Sequence, residues 1–142
     1  MLAAMGGAVP PQYLHEDNLT TPFNGPGAIH VLFHDLEQVA AEKAVWRLKP
    51  QSYGINTSPV PDQVEGLSGI PIFYLACRND QAVPWEAQSG TITGLKAAGY
   101  EVSAEVATSG HSPFLKLPRE TTLFIRRAAG EGVETGFDEF TG

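Results

Sequence analysis

Two residues of this 142-residue chain have the types and positions for acid–base chemistry. Asp80 follows the apolar run Ile70-Pro71-Ile72-Phe73-Tyr74-Leu75-Ala76-Cys77, after Arg78-Asn79. His111 follows a second run, Val102-Ser103-Ala104-Glu105-Val106-Ala107-Thr108, after Ser109-Gly110. A carboxylate that accepts a hydrogen bond from imidazole fixes the ring tautomer. It also stabilises the imidazolium formed when the other nitrogen takes a proton. On spacing alone a plainer assignment competes, with Asp80 capping a turn and His111 lying in a surface loop.

Other side chains offer less. Ser109 and Ser112 are too close in sequence to His111 to be well aimed for attack assisted by the same ring. Cys77 ends an apolar run, and a lone buried cysteine usually packs as a small hydrophobe. Tyr74 reads as core and Trp85 as core or pocket wall, while Asn79 shapes the turn. His30 and His34 stand four apart, but 28–33 reads as a strand, so they do not share a helix face. None of His15, His30, His34 and His111 has a cysteine at zinc-site spacing. No metal and no cofactor is expected.

The dyad requires two loops held side by side, and the elements for that are legible. Residues 70–77 are apolar without alternation, as in a parallel strand covered on both faces. A helix over 84–98 follows, with Gly99 as its stop. Residues 102–108 alternate, which predicts a strand with one more polar face, near a sheet edge. A last helix over 119–129 follows Pro118 and ends at Gly130. Strand–helix–strand implies a parallel crossover, and ligand sites in such sheets lie beyond the carboxyl ends of the strands. Upstream, Pro10-Pro11, Pro22, Gly25, Pro26 and Gly27 make 1–27 loop-rich. Residues 28–33 read as a short strand. Asp35 reads as the N-cap of a helix, Gln38 completing a capping-box-like pattern. Leu36, Val39, Ala40, Ala44 and Leu48 form its apolar stripe and Pro50 its stop, before the loop marked by Pro59, Pro61 and Gly66.

The composition, 42% hydrophobic and 18% charged, is that of a folded domain rather than a disordered chain. A net charge of −7 argues against nucleic acid and anionic membranes as partners. One cysteine excludes an intrachain disulfide. Residues 1–10 carry no basic region and no long apolar stretch, so a cytoplasmic location is expected.

The motifs resemble the α/β-hydrolase superfamily, its small esterase-like group of fungi and bacteria. Residues 69–84, with Asn79-Asp80-Gln81-Ala82-Val83-Pro84, are similar to the acid-bearing region, and Gly110-His111-Ser112-Pro113-Phe114 to the histidine loop. Residues 35–52, with Trp46-Arg47-Leu48-Lys49-Pro50, are similar to a lid helix and the return to the sheet. The likeness covers about 28–130, the C-terminal half of the family's fold. It implies a truncated α/β-hydrolase fold: a small parallel sheet of about two to four strands flanked by helices, with a lid-like N-terminal region. The expected organisation is a single domain over 1–130 (1–27 loop-rich, 28–66 lid-like, 67–130 core) and an acidic flexible tail over 131–142. The resemblance implies His111 and Asp80 as catalytic residues, and Trp85, Ser112, Phe114 and Trp46 as substrate contacts.

The departure is equally plain. The family's G-x-S-x-G elbow does not occur in these 142 residues, and Gly66-Leu67-Ser68-Gly69 is one residue short and precedes a strand. The chain is expected to begin past the nucleophile strand, leaving an apolar strand edge that the 28–33 run, folding back, or a second copy would cover. Two function classes follow. One is a hydrolase or cyclase using the dyad as a general base on a polyketide-like small molecule, by lactone or pyrone closure or by hydrolysis. The other is a non-catalytic binding or scaffold remnant, or a half-enzyme completed by another chain.

Overall fold

In the computed structural model, which describes residues 13–16, 19–22, 26–49, 51–52 and 65–141, the chain divides into two compact units, Met1–Asp62 and Gln63–Gly142. The first unit holds a small antiparallel sheet and a helix pair. Strand β1 (Tyr13–Glu16) pairs with β2 (Leu19–Pro22), and β2 with β3 (Gln51–Ser52). The loop expected over 1–27 therefore contains a strand pair. Tyr13, Thr20 and Thr21 are strand-favouring types, and Pro22 sits at the end of its strand, where a missing N–H costs least.

Residues 28–33 form a helix rather than a strand: α1 is Pro26–Leu32. A short run of five apolar residues around His30 fits either a strand or a buried helix. Pro26 decides, because its fixed φ suits the first helical position. The next helix, α2 (Gln38–Val45), is capped by Glu37, not Asp35, and without a side-chain hydrogen bond. A turn closed by the Leu36 N–H on the Phe33 carbonyl (3.1 Å) precedes it. Its apolar stripe is kept in part. Leu36, Ala44 and Leu48 pack against the buried Ala28, Phe33, Ala41 and Val45, while Val39 is 63% exposed and Ala40 is exposed too. The expectations for Pro10, Pro11, Gly25, Pro50, Pro59 and Pro61 lie outside the described residues.

The second unit carries Asp80 and His111. Strand β4 (Ile72–Cys77) runs parallel to β5 (Val102–Ala107), in register from Ile72–Val102 to Cys77–Ala107. Helix α3 (Trp85–Ala97) connects them. It ends at Gly99, whose φ of +85° is the left-handed conformation that glycine adopts without steric cost. After β5 come α4 (Pro113–Lys116) and α5 (Pro118–Ala128). Then β6 (Asp138–Glu139) pairs antiparallel with β5, giving a mixed sheet in the order β4-β5-β6.

This order corrects two expectations. The alternating strand, β5, is the central one, and four of its six residues are buried. The continuously apolar strand, β4, has only β5 beside it among the described strands, and its first four residues are half-buried. The cause lies in the second correction: residues 131–142 are not simply a flexible tail. They return to the sheet, where β6 flanks β5 and Phe140 enters the core with Ala76, Ile92, Ala104 and Val106. Glu105 can be buried on β5 because Arg127 and Thr135 both engage its carboxylate. The unit is a small α/β fold, and among the described residues no helix is long and apolar enough to cross a membrane.

Candidate active site

The parallel register carries the two strands into adjacent loops. The ladder continues past the strand ends: the Arg78 N–H donates to the Ala107 carbonyl (2.9 Å) and the Asn79 N–H to the Ser109 carbonyl (3.1 Å). Asp80 follows Asn79 directly and His111 follows Ser109 after Gly110, one per loop. The structure brings them together, with His111 Nδ1 2.9 Å from Asp80 Oδ2 and 3.1 Å from Oδ1.

The Asp80 loop is itself tightly closed. Asp80 Oδ1 accepts the backbone N–H groups of Ala82 (2.7 Å) and Val83 (3.0 Å). Burial by itself would raise the carboxyl pKa. The hydrogen bond from His111, those from the Val83 and Ala82 N–H groups, and the His111 charge together outweigh it and hold the carboxyl below its ordinary value. Asp80 is therefore an acceptor at neutral pH. With Nδ1 facing that carboxylate, the tautomer carrying hydrogen on Nδ1 is favoured, and Nε2 is the nitrogen left to exchange a proton.

His111 and Asp80 open onto a cleft of about 370 Å³. Phe73, Tyr74, Leu75, Val83, Pro113 and Phe114 supply most of its wall, together with Cys77 and Gln88. The wall is largely apolar, and among the described residues that line it Asp80 is the one carboxylate and His111 the one imidazole. Burial, then the nearby Asp80 carboxylate and Cys77, push the Tyr74 phenol up, so it remains a protonated donor at neutral pH.

The remaining expected contacts are distributed unevenly. Phe114 lines the cleft and is 58% exposed. Ser112 is buried and does not line it; it precedes α4, its carbonyl accepting the Leu115 and Lys116 N–H groups at 3.0 and 3.2 Å. Ser109 is likewise buried, its hydroxyl donating to the Gly110 carbonyl (3.2 Å). Trp85 belongs to the core instead of the cleft. It packs on the Ala76 cluster, stands 5.9 Å from the Phe140 ring and carries the Arg78 guanidinium 4.2 Å above its face. Trp46 lies in the first unit, 88% exposed after α2. Among the described residues no cluster of His, Cys, Asp and Glu could hold a metal ion.

Sequence reasoning passed over Gln88. It is buried beneath the Asp80 loop, and its amide meets Cys77, Val83 and Asp80. The clue was a polar residue four before the buried Ile92, on the apolar stripe of α3. Sequence comparison adds no assignment: no family model and no curated protein matches the chain.

Proposed function

We propose that Asp80 and His111 are the acid–base dyad of an enzyme of α/β-hydrolase descent that acts on a small, uncharged, largely apolar molecule. The supporting observation is the contact of His111 Nδ1 with a buried, ionised carboxylate where both line an apolar cleft. His111 Nε2 accepts a proton from a water, hydroxyl or carbon acid, and Asp80 stabilises the imidazolium so formed. General-base help of this kind contributes roughly 10²–10⁴ in rate. That suffices for an activated substrate, above all one closing a ring, where effective molarity lowers the barrier further. The substrate class is a polyketide-like ester, thioester or enol, closing to a lactone or pyrone or undergoing hydrolysis. Tyr74, protonated in the cleft, is a donor for the oxygen on which charge develops.

The test is turnover of activated β-keto thioesters and aryl esters by the purified chain and by His111→Ala. Loss of turnover in a folded His111→Ala protein supports the dyad. Equal turnover in both, or substrate binding with no turnover in either, supports the scaffold reading.

One observation favours association with another polypeptide. The outer edge of β4 has no strand beside it among the described residues, and Ile70, Phe114, Leu115 and Ile125 of the same unit are exposed. The reading is a homodimer that covers the β4 edge and apolar side chains of this kind, and light scattering reporting a stable 15.2 kDa species would refute it. A cytoplasmic location fits a sequence whose single cysteine allows no intrachain disulfide.

A further inference from the structure

Gln88 sits on α3, outside both catalytic loops, yet its side chain is 97% buried against one of them (relative exposure 3%). Its Oε1 accepts the Cys77 N–H at 2.9 Å. Its Nε2 donates to the Cys77 carbonyl at 3.0 Å and to the Val83 carbonyl at 2.7 Å, and lies 3.5 Å from Asp80 Oδ2. Cys77 is the last residue of β4, and Val83 donates its own N–H to Asp80 Oδ1. One side chain thus joins the two ends of the segment that carries Asp80.

We propose that Gln88 is the positioning residue of the dyad: a carboxamide clamp that fixes the Asp80 segment so that one carboxylate oxygen is aimed at His111 Nδ1. The catalytic consequence rests on the reading of Asp80 and His111 given above; the geometric one does not.

The chemistry requires an amide at this position. The site presents one donor, the Cys77 N–H, and three acceptors: the Cys77 carbonyl, the Val83 carbonyl and Asp80 Oδ2. Only a carboxamide offers an acceptor and two N–H donors on one planar group. Reversing it would set its oxygen against three oxygens and its NH₂ against an N–H, so the orientation is determined by its partners. A glutamate has the same shape but would oppose a carboxylate to two carbonyls and Asp80. A methionine fills the volume and offers no donor. The Arg78 N–H faces β5, so the alternating polarity of a strand turns the Cys77 N–H and carbonyl away from β5. Gln88 therefore replaces a neighbouring strand at the last residue of the β4 edge, where a loose end would displace Asp80.

The test is proton NMR of the full chain. In the wild type the His111 Nδ1–H resonance is expected far downfield and sharp, and the Gln88 carboxamide protons are expected to exchange at least 100-fold more slowly than those of exposed Gln38. Gln88→Met preserves packing, so a merely structural role would leave the His111 resonance in place. The clamp predicts its loss through exchange, with the remaining spectrum dispersed as in the wild type, and the same loss in Gln88→Glu. With a substrate in hand, kcat should fall at least tenfold in Gln88→Met with KM within threefold. A retained His111 resonance in folded Gln88→Met overturns the proposal. If neither variant folds, the wild-type carboxamide exchange decides: rates like those of Gln38 overturn it, and slow exchange upholds it. Failure of the catalytic reading shows separately, as turnover that survives His111→Ala.

Discussion

Asp80 divides its carboxylate between structure and His111: Oδ1 closes its own loop on the Ala82 and Val83 N–H groups, while Oδ2 makes the shorter contact to His111 Nδ1, 2.9 Å. The loop is therefore held by bonds that do not involve the histidine. His111→Ala should leave the fold intact with a modest loss of melting temperature, because the buried Asp80 carboxylate loses one partner but keeps the Ala82 and Val83 N–H groups. Turnover should fall by roughly 10²–10⁴. Kinetics beside a thermal melt separate the two effects.

Asp80→Asn should behave differently. Its amide oxygen can still accept the Ala82 and Val83 N–H groups, but the NH₂ then faces His111 Nδ1 and favours the wrong tautomer. The fold should persist with a modest loss of stability. The Nδ1–H resonance of His111 should vanish and turnover should drop about as far as in His111→Ala. A folded Asp80→Asn protein with near-normal rate would remove Asp80 from the dyad.

The lowered pKa of Asp80 also sets a stability window. Burial opposes ionisation, but the hydrogen bonds from His111, Val83 and Ala82 prevail, so the folded pKa lies below the unfolded one. A depressed carboxyl stabilises the fold above its unfolded pKa, near 4. The contribution is lost as pH falls through the folded value. Denaturant titrations should therefore show wild-type stability declining more steeply below about pH 4 than that of Asp80→Asn, with parallel curves above pH 5. Parallel curves throughout would remove the linkage.

The legible parts of the molecule are those governed by local chemistry. Asp80, Gly99, His111 and the strands at 72–77 and 102–107 follow from apolar runs and the breakers around them. What escaped depends on contacts between distant segments. Nothing near Val102 announces that Asp138 and Glu139 will pair beside Glu105 and Val106, so β5 looked like an edge. Glu105 reads as a solvent-facing residue until Arg127 and Thr135, 22 and 30 positions away, are seen to enclose it. The run at 28–33 is ambiguous in period, and Pro26, just outside it, settles the matter. Trp85 follows the Asp80 loop in sequence yet turns to Phe140, 55 residues on.

Phe140 gives the sharpest stability prediction, because an acidic, flexible tail would leave it in water. It is 6% exposed, packed on Trp85, Ala76 and Ile92. Phe140→Ala should cost about 3–5 kcal/mol, the usual range for a buried phenylalanine. Truncation after Gly130 should cost at least as much, since it also exposes the β5 edge. A denaturant midpoint unchanged by either alteration would return the segment to the status of a loose end.

The buried carboxylate on β5 supplies the last prediction. Glu105 is 5% exposed and depends on two partners, the Arg127 guanidinium and the Thr135 hydroxyl. Removing one partner of a buried pair leaves an uncompensated charge, which costs about 3–5 kcal/mol when both groups are buried. Arg127 keeps about a third of its side chain in water, so water can partly replace it. Arg127→Ala should thus cost less, about 2 kcal/mol. The double variant Glu105→Leu/Arg127→Ala should recover much of that loss, because the stranded charge disappears with its partner. A thermodynamic cycle over the four proteins measures the coupling. If the double variant is destabilised by the sum of the two single effects, the pair is not a unit, and the burial of Glu105 must be sustained by Thr135 alone.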